Sequence, residues 1–160
     1  MLNVRMSGLF YAVAAVVLMA VPVQADLVVY HGKVTAPAYI DQGEKGESAG
    51  DVRVWHFEGK TGDGATVVME FIMTTTGVDT AGKGAESRVT TGVFSFGGPV
   101  QDQIVIQGVG LYAGADSTFK PNSQLVRAII GGTGKYKGAK GELISTHKED
   151  DTWEHEFKLD

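Results

Sequence analysis

The chain contains no cysteine. That removes disulfide staples, thiolate metal ligands and a lipidated cysteine anchor of the bacterial lipoprotein kind. Positive charge is also scarce: 14 Lys and Arg stand against 19 Asp and Glu, for a net charge of −5. Nucleic acid is therefore disfavoured as a partner, because phosphate binding wants a basic face. No helix-period segment of useful length follows Ala25, so no basic amphipathic helix is available for a membrane surface. Internal repeats, low-complexity tails and a second domain are absent as well.

What is present begins with "MLNVRMSGLFYAVAAVVLMAVPVQA". Arg5 gives a short basic start, Leu9–Val23 is an apolar run, and Pro22 leads into a small-residue exit. This is the layout of a secretory signal peptide over 1–25, with cleavage expected between Ala25 and Asp26. The run is 15 residues, short of the ~20 a spanning helix needs. The sequence thus predicts a secreted or periplasmic protein without stable membrane insertion after signal removal. The remaining segment, 26–160, is 135 residues and one domain by size, with net charge −6 once Arg5 is lost.

Eight runs rich in β-branched and aromatic residues follow: Leu27–Thr35, Asp51–Glu58, Ala65–Thr76, Ser87–Phe96, Gln103–Leu111, Leu125–Ile130, Lys140–His147 and Thr152–Leu159. Gly, Asp and Pro separate them, as in Thr61-Gly-Asp-Gly64 and Gly97-Gly-Pro99. Hairpin-sized gaps predict antiparallel neighbours in a sandwich or a closed barrel. Closure removes aggregation-prone edges, and eight strands leave an interior wide enough for side chains or one small ligand. The pattern of residues leaves both architectures open.

The glycine-rich stretch "IIGGTGKYKGAKGELIST" raises the question of a phosphate loop. A P-loop needs G-x-x-x-x-G-K-[ST]. With Gly134-Lys135 as the G-K pair, the leading position is Ile129 and the last is Tyr136. Gly138 and Gly141 interrupt the helix that should follow. The glycines are read instead as positive-φ turns between two strands.

That stretch also carries a resemblance. "GDVRVWHFEGKTGDG", "ESRVTTGVFSFGGPVQDQIVIQGVG", "RAIIGGTGKYKGAKGELIST" and "WEHEFKL" occur in an order similar to that of the allene oxide cyclase and dirigent-protein superfamily, from about Gly50 to Leu159. The third piece, a Gly-Gly-[ST]-Gly turn followed by an aromatic and Gly-Ala-x-Gly, is the most specific. The resemblance implies an eight-stranded antiparallel barrel, a lumen for a small hydrophobic molecule, and assembly as a homo-trimer. Tyr136 would be an anchoring aromatic. Both branches of the family steer reactive intermediates, one by cyclising a lipid epoxide and one by orienting phenolic radicals. The plant cyclases use a first-strand glutamate and a cysteine. Here "DLVVYHGKV" offers only His31, and no cysteine exists.

Among residues able to do chemistry, Glu70 in "VVMEFIM" has apolar neighbours on both faces of its strand. Burial would raise its pKa and suit it to acid or base work; the plainer alternative is an ion pair with Arg53 or Arg88, or a subunit contact. A turn symmetric about Gly62 sets residue 56 opposite 68 and His56 diagonal to Glu70, whereas a slip of one sets Arg53 opposite Glu70. His56 and His155, mid-strand, read first as structural groups. Trp55, Phe57, Trp153 and Phe157 alternate as core or lumen wall first, and as ligand-stacking side chains second. No histidine spacing supports a metal site, no G-x-S-x-G elbow is present, and no cofactor signature occurs.

Three functions are consistent with these features. The first is an exported barrel that binds or steers a small hydrophobic molecule, with Trp55, Phe57, Tyr136, Trp153 and Phe157 as candidate wall residues. The second is a cofactor-free cyclase or isomerase in which Glu70, His56 or His31 handles a proton. The third is a structural or interaction module with a solid lumen.

Overall fold

The computed structural model describes residues 27–80, 84–98, 101–114 and 118–160; the signal segment expected at 1–25 lies outside them. The strands are β1 (Leu27–His31), β2 (Ala38–Ile40), β3 (Val52–Thr61), β4 (Thr66–Thr80), β5 (Ala85–Phe96), β6 (Asp102–Tyr112), β7 (Ser123–Gly132), β8 (Gly141–His147) and β9 (Trp153–Leu159). Among the described residues a single 3-10 turn, Gly134–Tyr136, interrupts the series. All pairings are antiparallel, in the order β1-β9-β8-β7-β6-β5-β4-β3-β2. Strand β1 lies against β9 from Leu27↔Phe157 to His31↔Trp153 and also against β3 at Val29↔Thr61 and Tyr30↔Lys60. That second pairing closes eight strands into a barrel and excludes the sandwich.

Two boundaries differ from expectation. The first strand ends at His31 rather than Thr35, because Gly32 follows and carries no side chain to pack. Three residues later than that expected end, β2 adds to β3 through Ala38↔Val54 and Ile40↔Val52. Its residues are all exposed, so no alternation marked it as a strand. Between β1 and β2 the connection Gly32–Pro37 runs past the middle of β3, leaving the wall unpaired there.

The glycine-rich stretch forms the β7–β8 connection. Gly141 has φ of +124° and begins β8 with its α-carbon against the Lys158 carbonyl, a place closed to any side chain. Tyr136 is buried there, 4.9 Å ring to ring from Phe96.

Side chains alternate in and out along each strand, and the inward set divides the lumen in two. One half is packed solid by Val29, Val67, Met69, Phe96, Ile104, Leu143 and Phe157, each at most 4 % exposed. Phe94 forms its ceiling, with edge-to-face contacts to Phe157 at 4.9 Å and Phe71 at 5.5 Å. Gly92 permits this: a β-carbon there would sit 2.6 Å from the Phe71 ring. The other half carries polar groups. Arg53 and Arg88 meet Glu86 at 3.3 and 2.8 Å, and Thr75 donates to the same carboxylate at 3.0 Å, all out of contact with water. Removing one partner from such a buried pair leaves an uncompensated charge and is strongly destabilising.

Candidate functional site

Above Phe94 the lumen opens into a cavity of about 260 Å³. Its walls are rings: Trp55 and Phe57 from β3, Phe71 from β4, Tyr112 from β6, Trp153 from β9, and Phe119 from the loop before β7. Trp153 is the hub. It stacks on His147 at 4.3 Å, lies parallel to His31 at 5.8 Å, and receives Phe119 edge-on at 4.7 Å. Rings with two soft torsions present large apolar area at low entropic cost, and so suit a flat or apolar guest.

Three histidines enter this half, and their partners define their protons. His31 Nδ1 lies 2.7 Å from the Gly32 carbonyl, which only accepts, so this nitrogen carries the hydrogen. A neutral His31 therefore has a bare Nε2, which sits 3.0 Å from His155 Nε2. His155 must donate across that gap, which leaves its own Nδ1 to accept from the Ser145 hydroxyl at 2.8 Å. The result is a directed chain, Ser145 to His155 to His31 to the Gly32 carbonyl. Burial pushes the pKa of His155 well down, and the nearness of Arg127 and of a second titratable ring, His31, pushes it the same way. Burial likewise lowers that of His31, only partly countered by its bond to the Gly32 carbonyl. Both rings are neutral in this arrangement. His147 is different: it faces two acceptors, the Phe119 carbonyl 2.7 Å from Nδ1 and the Asp151 carboxylate 3.1 Å from Nε2.

The structure brings His31, Trp55, Phe57 and Trp153 together in this cavity. Tyr136 and Phe157 belong to the packed half instead. Glu70 and His56 stand on the outer wall, with 54 % and 69 % of their side chains exposed. The buried carboxyl expected at Glu70 is thus corrected. The hairpin turn centres on Asp63, one residue beyond Gly62, which sets His56 directly opposite Glu70 at 3.3 Å rather than diagonal to it. Neither Arg53 nor Arg88 meets Glu70; both meet Glu86. Among the described residues no group of three or more His, Asp or Glu is placed to hold a metal ion.

Sequence reasoning missed Ser145, His147, His155 and Arg127 as cavity residues. For His155 the signal was available: in "WEHEFKL" Trp153, His155 and Phe157 share one face while glutamates take the other. Leu143, Ser145 and His147 share a face in the same way. For Arg127 no such signal exists, since both faces of "LVRAII" are apolar.

A closed antiparallel barrel, half filled and half hollow, is the class of protein that this geometry defines. Among solved structures the chain is similar to pyocyanin demethylase, with a TM-score of 0.56 and 22 % identity over 85 % of this chain and 98 % of that one. At that identity the likeness shows the barrel fold alone. No protein-family model and no curated protein matches the sequence.

Proposed function

We propose that the barrel binds one small, largely apolar molecule in the open half of its lumen, in the steering manner of dirigent-like proteins. The observation that carries this reading is the division of the lumen. The same inward face that is packed solid below Phe94 is hollow above it and lined with aromatic rings. A packed module would fill both halves, because an unfilled apolar cavity costs stability in proportion to its volume. The neighbouring fold supports the reading to the extent that pyocyanin demethylase is named for action on a small molecule.

Both tryptophans of the chain line the cavity, so intrinsic fluorescence reports on it directly. Titration with a neutral bicyclic probe, 2-naphthamide, is expected to quench both in a saturable, one-to-one manner. Met73→Trp, which fills the cavity from β4, should weaken that binding at least tenfold. Linear, unsaturable quenching in the wild-type protein would sink the proposal.

The hydrogen-bonded chain favours a second reading, a cofactor-free cyclase or isomerase. A ligand acid that donates to Ser145 Oγ allows the Ser145 proton to pass to His155 Nδ1. The His155 Nε2 proton then passes to His31 Nε2. His31 finishes as the imidazolium and His155 as the other neutral tautomer, with the ligand proton on Ser145. Such a relay suits a proton-transfer step in a site shielded from water. Imidazole ¹⁵N shifts at neutral pH test its resting state: hydrogen on Nδ1 of His31 and on Nε2 of His155. A doubly protonated ring at either position would remove this reading.

A further inference from the structure

Arg127 on β7 is a cavity residue that neither reading uses. It is 4 % exposed, and the wall leaves room for its stem because Gly108 on β6 has no side chain: a β-carbon there would lie 3.0 Å from Arg127 Cγ. Its polar partners are neutral, the Tyr112 hydroxyl at 3.1 Å and the Thr90 hydroxyl at 3.4 Å, both from Nη2. Nε is buried with no hydrogen-bond partner, and among the described residues no carboxylate meets this guanidinium. The contrast with Arg53 and Arg88, which share Glu86, is sharp. Asp151 at the rim is already bridged by His147 and Lys33. Burial disfavours the Arg127 charge, yet a guanidinium stays protonated in proteins. A desolvated, uncompensated cation is strongly disfavoured, and a buried unsatisfied N–H adds to that. Such an arrangement is at rest only when something completes it.

From this we infer that the ligand is an anion: a compact apolar skeleton bearing one carboxylate or phenolate, whose oxygen meets Arg127 at the inner end of the cavity. A planar guanidinium is matched to such oxygens, by one or two parallel hydrogen bonds. The aromatic rings then hold the apolar remainder. This inference rests on the lumenal-binding reading and specifies the chemical class of its ligand.

The test compares 2-naphthoate with 2-naphthamide, which share a skeleton and differ in charge, by tryptophan quenching at neutral pH. Wild-type protein is expected to bind the naphthoate at least tenfold more tightly. Arg127→Met should abolish that preference while still binding the amide, and Arg127→Lys should keep part of it. Equal affinities in the wild type would overturn the anionic ligand and leave lumenal binding standing. Binding of neither probe would overturn both. A preference that survives in Arg127→Met would remove Arg127 from the role. Should Arg127→Met fail to fold, judged by circular dichroism, Arg127→Gln replaces it, with loss of the preference expected and its persistence counting against the assignment. The wild-type comparison decides the anionic class in either case.

Discussion

The two halves of the lumen are built from the same strands, yet they follow opposite rules. Below Phe94 the inward residues are aliphatic and aromatic and interdigitated. Above it the inward positions of the same strands hold Arg53, Thr75, Glu86, Arg88, Arg127, Ser145, His147 and His155, the last four of which line the hollow. The lower half supplies the hydrophobic stabilisation that lets the upper half tolerate buried charge and an unfilled cavity. A site that must remain open and polar is affordable only beside a core that is neither.

Mutations that cross this division should separate the halves by size of effect. Phe94→Ala removes the ceiling of the packed half, and a loss of about 3–5 kcal/mol is expected in denaturant unfolding. A loss below about 1 kcal/mol would mean that the two halves already communicate. Gly92→Ala drives a methyl into the Phe71 ring and should cost about 1–3 kcal/mol through overpacking. It should also weaken probe binding, since Phe71 lines the cavity.

The upper half should then show itself through pH. His155 has a folded pKa well below its ordinary 6.5, from burial first, and that of His31 is lowered too. Below pH 6.5 the unfolded chain binds protons that the folded one refuses. Stability from these rings is therefore complete above that pH and is lost as pH falls toward the folded values. The slope approaches about 1.4 kcal/mol per pH unit for His155. Thermal melts between pH 7 and pH 5 check this, and His155→Phe should flatten the profile. An equally steep profile in that variant would place the titration elsewhere. Asp51 acts in a lower window. Burial pushes its carboxyl up, but hydrogen bonds from the Ser48 and Gln42 amides and the Tyr39 hydroxyl outweigh that and hold it down at about 2. Its contribution is present above the unfolded value of 3.8 and fades as pH drops through about 2.

The smallest effect belongs to the outer wall. Glu70→Gln breaks the exposed contact with His56 and should change stability by no more than about 0.5 kcal/mol and leave probe affinity unchanged. A loss of binding in Glu70→Gln would return that carboxylate to the site.

Much of the barrel was legible because period-two alternation and turn residues are local properties. Strands β3 to β9 fall where β-branched and aromatic runs stand between Gly, Asp and Pro, with ends shifted by a few residues. The face of Trp153, His155 and Phe157 was equally legible, since glutamates mark the outside of β9. Glu70 misled because Val68 and Ile72 beside it are apolar and point outward too. In such a run alternation cannot name the inside.

By itself the chain determined an all-β pattern, its turns, and the two strands along which large rings alternate. Tertiary structure decided the rest: that β1 reaches β3 and closes the wall, that the first hairpin pivots on Asp63, and that Arg127, His31, His155 and Ser145 converge from four strands. The reason is physical. Alternation is set between neighbours in the chain, whereas register and closure depend on pairings between strands, some near in sequence, as His56 with Glu70, and some far apart, as His31 with Trp153.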